Sequence, residues 1–447
     1  MVAQSALSVP TQATPSRSSG SNGSGIAFRL FLLAVFLMPL QLELEQFRGI
    51  VGSRLPPGDL VLAASILLAP TALRLIRHPL FLLPVFLPAV LAFGMLLAVV
   101  QRGDVTPHAL RVKFLGAWVL VAWCIVTAAY ARAGHSRRIL RVWVLGMAVW
   151  AAVAYIDWRV VDFISFLTFD EPTRFGGMQF DVNNAGAAYG VAVIVLWRMG
   201  GELFRSTVAR TMALAICAAA LALTLSRGSY VAVAAAVIVV LAVTRSTAKN
   251  WARYAGFVLV VLVVGLASGF LGSALQDFAN RPDTVSTRQG LTAEALDLFA
   301  ESGGLGIGLG TQLAESGQIV HNTAIWLLVE MSVVGIVYLV AMAVLPIQVT
   351  LRMRAFDRQL ALALLGSQIV MLVASMGIEA LYQRQWWMII GLAMVEPAGP
   401  RASGAPRAST LTGGLDGARS GPMWRRRAAT APGGAWGEPQ EGPAPVA

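Results

Sequence analysis

Long apolar runs broken by short polar stretches set the pattern of this chain. Most approach the ~20 residues a helix needs to cross the hydrocarbon core of a bilayer. Twelve segments are read this way: Ile26–Leu44, Leu60–Ile76, Leu80–Val100, Val112–Tyr130, Ile139–Trp158, Asn184–Met199, Thr211–Leu225, Tyr230–Thr244, Tyr254–Leu275, Ala324–Val349, Leu360–Gly377 and Trp386–Val395. The last is the shortest. The apolar residues come in runs rather than in alternation, which argues against a porin-type barrel. The expected fold class is all-α, a polytopic integral membrane helical bundle of about 12 transmembrane helices. The membrane domain is expected over 26–396. Residues 1–25, rich in Ser and Gly, are read as a disordered cytoplasmic N-terminus. Residues 397–447, rich in Gly, Pro, Ala and Arg, are read as a disordered cytoplasmic tail. No small-residue cleavage site follows the first run, so it is expected to stay as an anchor.

Composition agrees with this pattern. Of 447 residues, 57% are hydrophobic and 13% charged, against roughly 45–50% and about 25% in soluble domains. A soluble globular enzyme and a disordered scaffold are both excluded. The net charge of +11 would suggest nucleic acid in a soluble protein. Here the basic residues cluster in alternate loops, as the positive-inside rule requires, and no nucleic-acid partner is expected. The clusters are Arg74 and Arg77; Arg132, Arg137, Arg138 and Arg141; Arg198, Arg205 and Arg210; Arg245, Lys249 and Arg253; and Arg352, Arg354 and Arg358. That spacing puts both termini in the cytoplasm and the longest internal loop, 276–323, outside. In a bacterium the membrane would be the inner one and the loop periplasmic. A loop of that length is usually functional. Within it Leu291, Ala295, Leu298 and Phe299 share one helical face, so a short amphipathic helix is expected, able to lie along the membrane surface. Cys124 and Cys217 sit in apolar runs and read as packing residues.

A few polar residues demand an explanation. Arg227 stands in the turn Ser226–Ser229 between two apolar runs. An arginine at membrane depth faces a partner or an aqueous cavity, or else snorkels to the interface. Arg288 and Arg281 lie in the outer loop, where a solvated arginine is the simpler reading. His321 and Asn322 sit where that loop meets the tenth span, with Asn322 or Thr323 as the helix cap. The positive end of a helix favours the neutral imidazole, which can accept a proton near neutral pH. Glu330 and Glu379 are carboxylates within or near spans, functional by default or paired with an arginine of a neighbouring helix. Asp181, Asn183 and Asn184 form a polar cluster at the start of the sixth span that also suits a cap. His78 and His135 read as loop residues, and His108 has no catalytic neighbour in sequence. Gly304, Gly306, Gly308 and Gly310 alternate without the Lys-Ser/Thr of a P-loop. DxD, HExxH and GxSxG are absent as well, so no metal and no cofactor is expected.

In order along the chain stand QFDVNNAGAAYGVAV, LSRGSYVAVAAAV, STRQGLTAEALDLFAESGGLGIGLG and HNTAIWLLVEMSVVGIVYL. This succession resembles the bacterial O-antigen ligase and O-antigen polymerase superfamily over about Asp181 to Leu339. The resemblance implies an inverting glycosyltransferase that uses neither metal nor nucleotide sugar. It would move a glycan from an undecaprenyl-diphosphate carrier onto an acceptor hydroxyl at the periplasmic face. The acceptor is lipid A–core in a ligase and another lipid-linked glycan in a polymerase, and membrane lipids surround both. Matched residue by residue, Arg227 and Arg288 would stabilise the leaving diphosphate and His321 would serve as general base. Arg384, Asn322, Asn183, Asn184 and Glu330 are the substrate-binding candidates. A reading of another class, a transporter or flippase of a lipid-linked glycan, also explains the spans and the buried charges but needs neither the His-Asn pair nor the long loop.

Overall fold

The computed structural model describes residues 22–40, 56–70, 78–157, 175–177, 181–244, 283–318 and 320–395. Outside them fall the expected ninth span Tyr254–Leu275, the first residues of the long loop including Arg281, the expected tail over 397–447, and most of the expected N-terminal stretch. The described residues are mostly helical, and no strand occurs among them. The helices are α1 (Asn22–Leu37), α2 (Pro57–Leu68), α3 (Leu82–Arg102), α4 (Leu115–Tyr130), α5 (Ser136–Ile156), α6 (Val182–Leu203), α7 (Thr207–Leu223), α8 (Arg227–Thr244), α9 (Asp283–Glu301), α10 (Thr311–Ser316), α11 (Thr323–Met353), α12 (Arg358–Ala374) and α13 (Arg384–Ala393). The first begins at Asn22, inside the stretch expected to be disordered.

Among the described residues, four helical stretches are long and apolar enough to cross a membrane: Pro79–Arg102, Ala109–Ile156, Arg227–Thr244 and Thr323–Met353. The second holds two of the expected spans, α4 and α5, joined at Gly134 with φ 87°. Shorter apolar helices account for several other expected spans: Gly25–Leu37, Pro57–Leu68, Thr207–Leu223 and Arg358–Ala374. The chain is a membrane helical protein. Side-chain caps fix where helices start, as short polar side chains do by accepting from the first free backbone amides. Asp181 caps α6, Ser206 α7, Asn322 α11 and Asp357 α12. The core is apolar and rich in tryptophan, with Trp123, Trp143, Trp326, Trp386 and Trp387 fully buried.

Helix α8 packs on α12, and α12 on α6 and α11. Val240 lies over Gly366, and Gly190 of α6 meets both Val233 and Val370. Helices α8 and α12 are therefore antiparallel, and the start of α8 shares one end of the bundle with the end of α12. From that end the chain passes from α12 through Ser375–Gln383 into α13. At the opposite end Arg137 bridges Glu202 (2.7 Å) and Asp357 (3.0 Å). Arg198 reaches Gln359 (3.0 Å) and Arg354 donates to the Val243 carbonyl (3.0 Å). The loop arginines of α4–α5, α6–α7 and α11–α12 thus gather at one end, and the turns bearing Arg227 and His321 gather at the other.

Candidate functional site

The site end is built on the start of α11. Asn322 accepts from the amides of Ala324 and Ile325 (3.0 and 3.2 Å), so the expected cap is formed and His321 stands one residue ahead of it. Thr323 then clasps the α12–α13 connection. Its amide donates to Ser375 O (2.9 Å), its hydroxyl donates to Ile378 O (2.7 Å), and the same hydroxyl accepts from the amide of Ala380 (3.0 Å). Three bonds through one residue fix Ser375–Ala380 against the His-Asn pair.

Arg288 approaches the same connection from α9. Its Nη1 lies 3.8 Å from the Cβ position of Gly377, while the side chain stays exposed. Helix α9 is the amphipathic helix expected in the long loop. Its apolar face, with Ala295, Leu298 and Phe299, packs on Ile307, Val320, Ile325 and Val329. The other face, with Arg288, Gln289, Thr292, Ala293 and Leu296, lines an open groove of ≈ 370 Å³. His321 and Arg288 thus flank one clasped loop, though they lie far apart in sequence.

Arg227 opens α8 at the same end of the bundle, exposed on the turn Ser226–Ser229. That turn is held by the polar cluster of α6. Ser226 Oγ donates to Asn183 Oδ1 (3.0 Å), and Ser229 Oγ donates to the Asn183 carbonyl (3.3 Å) and bonds Ser226 Oγ (3.0 Å). Asp181 in turn accepts from the amides of Asn183 (2.6 Å) and Asn184 (3.2 Å). Just before the turn Leu225 has φ 49°, a left-handed conformation that costs a non-glycine residue about 1–3 kcal/mol and survives only where its surroundings enforce it. Asn183 therefore braces the Arg227 turn, while the buried Asn184 Oδ1 meets no partner among the described residues.

Glu330 is buried within α11. Its carboxylate accepts from Trp326 Nε1 (2.7 Å) and from the Gly310 amide (2.9 Å). Around it runs the glycine stretch. The amides of Ile307 and Gly308 donate to the carbonyls of Val329 and Glu330, and that of Leu309 to Gly94 O. Those α11 carbonyls are free because the helix breaks at Ser332, with φ 54° and ψ −146°. Ser332 Oγ closes the break by donating to Gly304 O (2.8 Å). Gly306, Gly308 and Gly310 all have positive φ. A Cβ on Gly308 would strike the backbone of Ala98. The glycines let the loop thread between α3 and the broken α11, and Glu330 fastens it there.

Arg384 opens α13 directly after the clasped connection, with its guanidinium engaged. It grips Asp59 of α2 through Nε (2.7 and 3.0 Å) and Nη2 (2.6 Å), and Asp59 also accepts from Trp123 Nε1 (2.8 Å). Neither this pair nor a second one was foreseen in the sequence. Lys113, in the turn Ala109–Phe114, meets both carboxylate oxygens of Glu379 at 2.6 Å. Its Nζ lies over the rings of Trp326 (4.9 Å) and Tyr382 (4.6 Å). Glu379 belongs to the loop that Thr323 clasps, so Lys113 pins that loop from its other side. His108 stands near this pair. Burial and the Lys113 cation lower its pKa from the usual value, with Glu379 opposing. In sequence Glu379 suggested an arginine partner, and the actual cation is a lysine at the head of α4.

Among known proteins, residues 212–340 match the family model described as O-Antigen ligase. This places the stretch from α7 through α9 and the glycine loop into α11 in the O-antigen ligase superfamily, as the sequence motifs indicated. The match covers Arg227, Arg288, His321 and Glu330. Lys113, Asn183, Glu379 and Arg384 lie outside it. No curated protein matches the chain.

Proposed function

With residues 212–340 placed in the O-antigen ligase superfamily, we propose that the chain is a metal-independent, inverting glycosyltransferase of the bacterial inner membrane. Its donor is a glycan on undecaprenyl diphosphate, its acceptor a hydroxyl of lipid A–core, and its active site faces the periplasm. The observation that carries this reading is the Thr323 clasp, which gathers His321 and Arg288 about one loop at the end where Arg227 also stands. The chemistry follows from the groups. His321 takes the proton of the acceptor hydroxyl on a ring nitrogen. The hydroxyl oxygen attacks the anomeric carbon on the face opposite the carrier, forming the new glycosidic bond and inverting that centre. The bond to the diphosphate breaks with its electron pair on oxygen. Guanidinium groups match phosphate oxygens with a planar fork of donors and stabilise that charge in place of a metal ion.

The positive-inside reading supports the orientation. The arginine-rich end would face the cytoplasm and the His321 end the periplasm. A repeat-unit polymerase uses the same site with a lipid-linked glycan as acceptor. Deleting the gene and resolving surface glycans beside extracted lipid A–core separates the two. Bare core with polymer still on the carrier is the expected result. Core bearing one repeat, or loss of a secreted polysaccharide, indicates the polymerase. An unchanged glycan profile contradicts the transferase and favours transport of a lipid-linked glycan.

A further inference from the structure

The loop clasped by Thr323 has little packing of its own. Met376 is 61% exposed, and Gly377 beside it has no side chain to bury. Polar bonds hold the loop instead, and they come from two sides. Thr323, two residues after His321, takes one side through its three bonds. Lys113 takes the other. Its ammonium meets both oxygens of Glu379 at 2.6 Å, and Glu379 stands between Ile378 and Ala380, two of the residues whose backbone Thr323 bonds. The seat of the ammonium spans both parts of the site. One wall is Trp326, in the first turn of α11, and the other is Tyr382, in the α12–α13 connection. Their ring centroids lie 5.8 Å apart. The Tyr382 hydroxyl also donates to the Lys113 carbonyl (3.4 Å). Lys113 thus touches both the helix start that follows His321 and the loop bonded to it.

We propose that Lys113 and Glu379 are positioning residues, which hold His321 in register with the reacting hydroxyl through the Thr323 clasp. The inference rests on the glycan-transfer reading, in which His321 is the base. Stability alone does not call for charges at this place. Apolar side chains of like volume often replace a buried ion pair with no loss or even a gain in stability. A charge-assisted pair adds direction, because its short bonds fix where each group stands. An apolar pair would fill the space and let the loop slide. Such sliding matters for a base, since a misplacement of about 1 Å can cost about 100-fold in rate. Neither group is free to act on substrate itself. The two side chains are 6% and 18% exposed, and each meets the other's charge.

The test uses the purified full-length chain, with undecaprenyl-diphosphate-linked O-antigen as donor. Lipid A–core is the acceptor, and lipid-linked repeat units are offered in parallel. Lys113→Met with Glu379→Leu removes both charges together, so that neither is stranded. Rates are taken per folded chain, below the melting range of each variant. The double variant should recover most of the melting temperature lost by Lys113→Met. Its kcat should nonetheless stay about 10- to 100-fold below the parent. Both KM values should remain within about threefold, because neither group touches substrate. The ring-nitrogen NMR signal of His321, identified by its loss in His321→Ala, should shift or broaden in the double variant. A parent-like kcat in the double variant would reduce the pair to packing and overturn the proposal. A raised KM with parent-like kcat overturns it too, as does a lowered kcat with the His321 signal unmoved. A parent chain that transfers to neither acceptor removes the glycan-transfer reading itself and the positioning role with it.

Discussion

Lys113 and Glu379 are 266 residues apart in the chain and meet at 2.6 Å, both largely buried. Removing one partner of such a pair strands the other charge, which typically destabilises by about 3–5 kcal/mol, whereas replacing both by apolar groups can be neutral. Lys113→Met should therefore lower the melting temperature sharply, and Lys113→Met with Glu379→Leu should recover most of the loss. A single variant as stable as the parent in thermal unfolding would contradict the pinning role given to the pair. His108 beside it makes a prediction on pH. Its folded pKa lies below the ordinary 6.5, so the folded state binds fewer protons than the unfolded one as pH falls through 6.5. Its contribution to stability is present above that pH and is lost below it. A melting temperature that drops between about pH 7.5 and pH 5, with a smaller drop in His108→Gln, is expected. At this scale the sequence was partly legible. Asn322 reads as a cap because its partners are its own neighbours. Lys113–Glu379 and Arg384–Asp59 are invisible to any local pattern, since each joins residues from distant parts of the chain.

Among the elements, the glycine stretch and the break in α11 depend on each other. The loop amides of Ile307 and Gly308 take the carbonyls that the break at Ser332 frees, and only a residue without Cβ passes Ala98 at position 308. Gly308→Ala adds a clash and forces a residue with a Cβ to hold the positive φ, and should cost at least about 2 kcal/mol. A parent-like melting temperature for that variant would count against the threaded loop. The apolar face of α9 was legible from the spacing of Leu291, Ala295, Leu298 and Phe299, because helical periodicity marks a buried face whatever covers it. What covers it was not legible. The cover includes Ile307, Val320 and Val329, brought there by the loop and the helix break. Likewise, apolar runs marked helices well but their lengths poorly. Thr207–Leu223 and Arg358–Ala374 are shorter than a full span, because caps and turns, rather than hydropathy, decide where a helix starts and stops.

For the whole molecule, two ends of unlike chemistry imply a sidedness. Gln318 is exposed at the His321 end and Arg132 at the arginine-rich end. In intact cells, a membrane-impermeant thiol reagent should label Gln318→Cys and spare Arg132→Cys until the inner membrane is opened. The reverse pattern would invert the topology. The central claim is that His321 and Arg288 transfer a glycan from its carrier. It is tested most directly by incubating the purified chain with undecaprenyl-diphosphate-linked O-antigen and lipid A–core, and measuring both the joined product and the freed carrier. The parent chain should form both in equal amounts. His321→Ala should abolish both while expressing and melting as the parent does, and Arg288→Lys should reduce both, since a point charge cannot replace the planar fork. Undiminished product from His321→Ala and Arg288→Lys would contradict the mechanism, and donor recovered intact with the parent chain would contradict the transfer itself.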